Sequence, residues 1–476
     1  MISDTNLKEP DHWDGVTDIV VIGSGFAGLS AAIEASNSGA SVIVLEKMKA
    51  PGGNSLISDG GLAAAGTDEQ NRLGIIDSPD LMYADMVKAG LEMNYPDLLR
   101  TLVDNSKSAY EWSRDYLNVE FLDRIDIFGG HAVQRCFTAK NTSGVTIIKK
   151  LMEKIRELGI EIRFQSYFTG FTADEFGRIS GIKYREFYNY KQDSTGPVKY
   201  LKAKKAVILA SGGFGADIDF RSTQDPRLSK EIDTTNQPFA TAEVLKEALK
   251  IGASPVQLSQ IQLGPWASPD EIGFGDGPAF SEYIVFQYGI VIDPQTGKRI
   301  VNELSDRKTV SDSILKTGHP CIGIADSSAV IKSGWNIDKC IKKQVVKKYD
   351  SIESLAAAYD INLENLKETK DRFNIFIDNK NDPDFKKTII NTASKIEKFP
   401  FFAIRLWPKI HYTMGGLGIN RKAQVLDLEG IPVNGLYAAG EVTGGVHGAS
   451  RLGSCAITDC LVFGRISGRN AAEELC

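Results

Sequence analysis

Asp18-Ile-Val-Val-Ile22, running without a break into Gly23-Ser-Gly25-Phe-Ala27-Gly28, is the stretch from which the fold can be read. Its first five residues are a short apolar, β-branched run of the kind buried in a parallel sheet. Leu29, Ala32, Ile33 and Ala35 then fall at helical spacing as far as Ser38-Gly39, and Ser41 to Leu45 makes a second strand that closes on Glu46. Strand, glycine turn, helix, strand and acid, in that order, form a dinucleotide-binding unit. Gly23 permits the tight turn, Gly25 and the neighbouring Ala27 let a pyrophosphate reach the amides at the helix N-terminus, and Gly28 allows close helix–strand packing. Glu46, eighteen residues beyond Gly28, can accept the adenosine ribose hydroxyls.

The residues beyond this unit separate FAD from NAD. After Glu46-Lys47 comes a second glycine-rich passage, Gly52-Gly53-Asn54-Ser55 and Ser58-Asp59-Gly60-Gly61. An NAD domain has no use for it, whereas a longer flavin must be carried onward across the protein. A later strand, Ala206 to Leu209, runs into Ala210-Ser-Gly212-Gly-Phe-Gly215, again strand into glycine turn. Near the C-terminus stand His411-Tyr-Thr-Met-Gly415-Gly416 and then Gly435 to Gly453, which holds six glycines in nineteen residues together with Glu441, His447 and Arg451. Backbone so rich in glycine suits close passage past a flat or phosphorylated molecule. Taken singly, each passage also reads as a surface loop; together they converge on one extended cofactor.

Composition excludes several classes. The 476 residues suffice for two or three lobes with sizeable cores, and 61 acidic against 55 basic residues offer no surface for nucleic acid or anionic membrane. Met1 to Gly15 is polar and acidic, unlike a signal or anchor, and no run of eighteen apolar residues occurs, so a cytoplasmic location is expected. Cys136, Cys321, Cys340, Cys455, Cys460 and Cys476 are scattered without a Cys-x-x-Cys, which argues against a redox disulfide, a zinc ribbon, an iron–sulfur cluster or covalent haem. No metal site is expected.

The set Gly23-x-Gly25-x-x-Gly28, Glu46-Lys47, Gly52-Gly53-Asn54-Ser55, Ala210-Ser-Gly-Gly-Phe-Gly215, His411-Tyr-Thr-Met-Gly-Gly416 and Gly435-Leu-Tyr-Ala-Ala-Gly-Glu-Val-Thr-Gly-Gly-Val-His-Gly-Ala-Ser-Arg-Leu-Gly453 resembles the fumarate reductase and succinate dehydrogenase flavoprotein family. It is most similar to the soluble branch of flavocytochrome-type fumarate reductases and urocanate reductase. The resemblance covers Asp18 to Ala472. It implies an α/β fold: a Rossmann-like FAD-binding domain made of residues 1–257 and 403–476, with an inserted α+β capping, or clamp, domain at 258–402. It implies FAD contacts at Glu46, Lys47, Gly53, Asn54, Ser55, Gly60, Gly61 and Gly212, and further on at Gly440, Glu441, Ser454, Ala456 and Ile457. In membrane-bound members a histidine six residues before the Gly-Gly pair tethers the flavin; Asn54 stands at that place here, so FAD is expected to be held without a covalent bond.

The expected chemistry follows from charge. Reduced flavin gives hydride to one carbon of a polarised double bond, and the protein must hold the acid group, stabilise the charge left on the other carbon and supply a proton. Arg451 can bind a carboxylate with both prongs of its guanidinium, and His411 can donate a second hydrogen bond. By resemblance, Arg307 after the run Arg299-Ile-Val-Asn-Glu303 is the proton donor and Glu282 its relay. On the residues alone, Arg307 also reads as a salt-bridge partner of Glu303 or Asp306 on a helix.

Two departures bear on the substrate. A histidine expected in a Gln-x-His-Pro-Thr segment is Gly264 in Gln262-Leu-Gly264-Pro-Trp266, and the arginine expected three residues after Glu282 is Val285. Trp266, Phe274, Phe280, Tyr283 and Phe286 make this side more aromatic, so a substrate with one carboxylate and a flat group, such as urocanate, suits it better than fumarate. Those aromatics also read as core. Three activities stay open at this level: reduction of a small α,β-unsaturated carboxylate, oxidation of a saturated acid, and electron transfer without turnover. A separate, unidentified electron donor is expected. Scaffold elements are expected at Val145–Leu158 (helix), Glu161–Phe164 (strand), Gly170–Leu201 (strands, with a polar hairpin at Asp193–Pro197) and Asp350–Arg372 (helix).

Overall fold

A computed structural model describes residues 7–192, 194–389 and 392–474 and contains the parallel sheet expected from the first 46 residues. The strand Gly15–Ile22 pairs in parallel with Val42–Leu45 on one side and with Val198–Leu209 on the other. Pro432–Ala438 extends the parallel ladder beside Val198–Leu209, so the C-terminal segment joins the sheet begun by the N-terminus. Among the described residues this sheet has eight strands, with Glu161–Arg163 at one edge and Gln424–Leu426 at the other. An antiparallel ribbon, Tyr167–Ala173 and Ile179–Arg185, leans on Val198–Leu209.

The helix Phe26–Asn37 is buried over most of its surface, from Phe26 to Ala35. Its alanines explain how: the C-terminal helix Cys455–Glu473 crosses it so closely that a Cβ on Gly464 would lie 2.6 Å from the Ala27 carbonyl oxygen. Both strands that deliver the first glycine turn are likewise buried, with Ile19, Val20, Val21 and Val44 wholly inaccessible. Burial on both faces is what a parallel sheet covered by helices demands.

A second layer is inserted between Ile261–Gly264 and Lys409–Thr413, two strands that pair antiparallel where the chain leaves and re-enters the first lobe. The insert is built on an antiparallel sheet of Lys298–Arg299, Ile290–Asp293, Cys321–Asp326, Phe401–Leu406 and Val346–Tyr349 in that order. It has its own apolar cluster, including Ile290, Ile322, Leu366 and Phe373. The fold class is therefore as expected: a parallel-sheet lobe with an inserted α+β lobe.

Details differ. The boundary expected at residue 402 falls inside the strand Phe401–Leu406, which belongs wholly to the inserted sheet. The helical pattern from Asp350 to Arg372 resolves into two helices, Ile352–Ala358 and Leu363–Asn379, because Asp360 takes a positive φ of 54° and Asn362 caps the second. Asp193, in the expected hairpin, and Cys476 lie outside the described residues. The other five cysteines are free thiols. Among the described residues no helix is long and apolar enough to cross a membrane.

Candidate active site

Two adjoining hollows open in the molecule, the first lined by the parallel-sheet lobe alone and the second by residues of both lobes. The first is a groove lined by Gly23 to Ala27, Glu46, Lys47, Gly52 to Ser55 and Ala210 to Gly213. Gly23 holds φ at 106°, and a Cβ there would collide with the Ala210 carbonyl, so the turn closes only on glycine. The helix beyond starts on Gly25, which has no side chain to cap it. Its positive end therefore opens on the groove, an arrangement suited to a pyrophosphate. Glu46 is buried and accepts hydrogen bonds from the Ser24 amide (3.2 Å), the Ser24 hydroxyl (2.5 Å) and the Met48 amide (2.8 Å). A carboxylate has about four acceptor sites, so capacity remains for a ribose. Lys47 is turned to Glu243 at 3.3 Å and to the Thr241 hydroxyl at 3.1 Å.

Gly28, Gly60 and Gly440 do not line either hollow. Gly28 works one layer back, where a Cβ would strike the Gly23 carbonyl, and a Cβ on Gly60 would lie 3.0 Å from the Ser143 carbonyl oxygen. These two shape the groove from behind. Gly213, which the sequence did not single out, leaves the room that a Cβ would deny to Glu441 and Thr413.

The second hollow shares Phe26, Asn54, Ser55, Glu441 and Cys460 with the first, so the two are continuous. Its lining includes Gly61, Ser454, Ala456 and Ile457 together with Glu282, Arg307, His411 and Arg451. Glu441 is partly buried and accepts from the Thr413 amide at 2.9 Å; desolvation pushes its pKa up to about 7. An extended groove with an open helix end, joined to a wider hollow whose wall includes the unpartnered hydroxyl of Ser454, fits a cofactor with a pyrophosphate in the middle and a broad ring at one end. That is the shape of FAD.

His411 owes its place to a break in register. Gln262 faces Tyr412 and Leu263 faces Ile410, so His411 is the extra residue of a β-bulge. A bulge re-aims a side chain out of the ladder. The ring sits between Thr235, whose Oγ1 lies 2.8 Å from Nδ1, and Arg451, whose Nη2 lies 3.0 Å from Nε2. Burial first, and then the charges of Arg307 and Arg451, hold its pKa well below the usual value, so it is neutral. Where the sequence suggested a donor, this geometry uses Nε2 as the acceptor for Arg451.

Arg451 is 4% exposed, stacks over the Tyr412 ring at 4.6 Å and donates from Nη1 to the Leu452 carbonyl, while its Nε has no partner among the described residues. Burial, followed by repulsion from Arg307, lowers its pKa to about 10. Arg307 is the first residue of the helix Arg307–Thr317 and meets Glu282 at 3.5 Å. It pairs with neither Glu303 nor Asp306: Glu303 is taken by Arg299 and Lys387, and Asp306 caps the helix. Arg307 Nε and Nη1 and Glu282 Oε2 have no hydrogen-bond partner among the described residues. Burial raises the Glu282 pKa despite the opposing charge of Arg307.

Trp266, Phe274 and Tyr283 line this hollow, whereas Phe280 and Phe286 are core. Sequence reading missed Trp335 and Thr235, which line it as well, and Asp59 of the second glycine-rich passage does so too. Tyr283 donates to Asp59 Oδ2 at 2.9 Å and tilts against Trp335 at 4.4 Å between ring centres.

Residues 18–457 match the family model described as the FAD binding domain. The chain is 42% identical over 464 residues to the acrylate reductase flavoprotein subunit of Shewanella woodyi, covering 96% of this chain and 91% of that one. The chain belongs to the fumarate reductase-type flavoprotein family. It is also 32% identical to the urocanate reductase of Eggerthella lenta, over 97% of this chain and 76% of that protein. A flavocytochrome c3 fumarate reductase in its open conformation superimposes with a TM-score of 0.73 at 30% identity, covering 97% of this chain and 79% of the other. As a member of this flavoprotein family, the protein is an FAD-dependent oxidoreductase acting on CH–CH groups.

Proposed function

We propose that this flavoprotein reduces the C=C bond of a small α,β-unsaturated acid carrying one carboxylate and a flat, uncharged substituent, as urocanate does. One observation carries the reading: the buried Arg451 and the partly buried Arg307, each with buried nitrogens unpartnered among the described residues, line a single hollow that continues the dinucleotide groove. A buried guanidinium with unmade hydrogen bonds is costly unless a ligand completes it.

Groups at Ser24–Ala27, Glu46, Ser55 and Gly212 would hold the adenosine and pyrophosphate of FAD, and those at Gly61, Glu441 and Ser454–Ile457 its ring. Reduced FAD, when bound, supplies the hydride. Arg451 takes the carboxylate on its two-pronged face, pre-aimed by His411. Its positive charge draws electron density toward the carboxyl end and stabilises the enolate-like charge that grows there. Arg307 gives the proton to the carbon bearing that charge. A guanidinium is an ordinarily poor acid, yet such a carbon is far more basic than a carboxylate, and Glu282 returns a proton at once. Its raised pKa favours the protonated form that this return needs. One hydride and one proton across the double bond give the saturated acid.

The preference for one carboxylate rests on the rest of the lining. Asp59 lines the hollow, so a second carboxylate would meet like charge there, and Trp266, Phe274, Tyr283 and Trp335 offer flat apolar faces. FAD is held without a covalent bond in this reading. Asn54 spends its amide on Asn236 (2.6 Å) and on the Gln237 amide (2.8 Å), and it has no nucleophilic nitrogen to offer. The inserted lobe, residues 258–406, acts as the cap over the substrate, and electrons come from a separate donor.

Reoxidation of the dithionite-reduced holoprotein by a set of enoates tests the substrate. Urocanate and cinnamate should reoxidise it faster than fumarate; fumarate as the fastest oxidant would refute the single-carboxylate reading.

A further inference from the structure

We infer that the loop Phe128–His131 is a strut that sets the spacing between the turns carrying Arg451 and Arg307, with His131 as its positioning residue. The inference rests on the assignment of those two arginines as working groups, although the strut itself is read from contacts.

Four consecutive residues touch the segments that carry Glu282, Arg307 and Arg451. The Phe128 ring meets Tyr283, next to Glu282, edge-on at 5.2 Å. It also lies over Gly453, where a Cβ would fall 2.6 Å from that of Phe128. Gly129 packs on the Ser305 carbonyl so closely that a Cβ would collide with it. Gly130 donates its amide to the Leu304 carbonyl at 2.9 Å and presses on Leu452. His131 Nε2 lies 2.9 Å from the Gly453 carbonyl oxygen. The loop therefore holds both the turn Leu452–Gly453 after Arg451 and the turn Leu304–Asp306 before Arg307.

The loop is itself anchored. Arg135, wholly inaccessible, donates twice to Asp77 (2.8 and 3.0 Å), once to Asp85 (2.6 Å) and once to His131 Nδ1 (3.2 Å). Asp85 also accepts from the Ala132 amide at 2.8 Å. These partners fix the imidazole. An arginine nitrogen only donates and a carbonyl only accepts, so Nδ1 carries the lone pair and Nε2 the proton. Burial and the Arg135 charge push the His131 pKa down to about 3, so this tautomer persists across the working pH range. A neutral ring wedged between a fixed guanidinium and a backbone carbonyl passes rigidity on without adding charge to the cationic site.

Two substitutions load the strut at opposite ends. His131→Leu removes the bond to Gly453, whereas Gly129→Ala drives a methyl into Ser305; His131→Gln can restore both of the imidazole's bonds. With the FAD-loaded protein, we expect His131→Leu to raise KM for an enoate about tenfold with a smaller change in kcat. Amide hydrogen exchange should then rise in residues 450–454 and stay unchanged in 302–308. Gly129→Ala should do the reverse, lowering kcat and loosening 302–308, and His131→Gln should recover most of the loss. Unchanged exchange in both segments for both variants overturns the strut, as does equal loosening throughout the chain. If the wild-type protein reduces no enoate, the functional reading fails while the exchange comparison still decides the strut.

Discussion

Arg451 donates a hydrogen bond from Nη2 to Nε2 of His411 across 3.0 Å. His411 in turn points Nδ1 at the Thr235 hydroxyl 2.8 Å away, and that hydroxyl donates to the Ile410 carbonyl at 3.3 Å. The chain of donors has one direction. Because the hydroxyl proton goes to Ile410, Nδ1 carries the imidazole proton and Nε2 is left as an acceptor. His411 is thus a neutral support that aims a buried guanidinium, and the charge available to a carboxylate stays on Arg451.

Removal of the first link should release that support. Thr235→Val keeps the shape but leaves Nδ1–H without an acceptor, at a cost of about 1–2 kcal/mol for an unmade buried hydrogen bond. We expect KM for the enoate to rise by about tenfold, with kcat changed less, in steady-state assays with a dye donor. An unchanged KM would detach Thr235 from the site.

Arg451→Lys keeps the charge and loses the fork. Bidentate geometry is what the account requires, so kcat/KM should fall by roughly two orders of magnitude or more while FAD content, read from the absorbance of the released flavin, stays at the wild-type level. Near-wild-type activity in the lysine variant would show that a point charge suffices.

Glu441 makes the stability of the apoprotein depend on pH. Its carboxyl is held near a pKa of about 7 by burial, against an ordinary value of 4.5. A raised folded-state value means that the stability is present in full below pH 4.5 and is lost as pH rises to about 7. The loss amounts to about 3 kcal/mol from this group alone. Glu441→Gln should flatten that segment of the curve of apoprotein unfolding free energy against pH. An identical slope in the variant would place the effect elsewhere.

Trp335 gives a test of selectivity. Its replacement by Ala should raise KM for cinnamate or urocanate by about tenfold, the worth of one aromatic contact, and leave acrylate nearly unaffected. Equal losses for ring-bearing and ringless acids would mean that Trp335 supports the cap rather than the substrate.

The parallel-sheet lobe was legible because its signals are local. Asp18 to Glu46 carries its own strand, turn, helix and acid, and at Gly23 and Gly28 a Cβ would collide with backbone. The inserted sheet was legible only by resemblance, since its strands pair across gaps of dozens of residues, as Ile290 does with Ile324. The same holds within the site. Thr235 and His411 lie 176 positions apart and meet only because a bulge turns His411 out of its ladder. Local spacing also misled: Arg307 sits four residues from Glu303, yet Glu303 faces Arg299 and Lys387 in the core of the inserted lobe. Trp335 had no signal at all, being one aromatic residue in a loop between two short helices.

The most direct measurement is a single turnover: holoprotein reduced with dithionite, mixed with urocanate or cinnamate, and followed by flavin absorbance for wild type and Arg307→Ala at equal FAD content. The account predicts rapid reoxidation in the wild type and a rate lower by about three orders of magnitude or more in the variant, the scale of a lost proton donor that also balances charge. Reoxidation of Arg307→Ala by the acid at a rate close to wild type would contradict it.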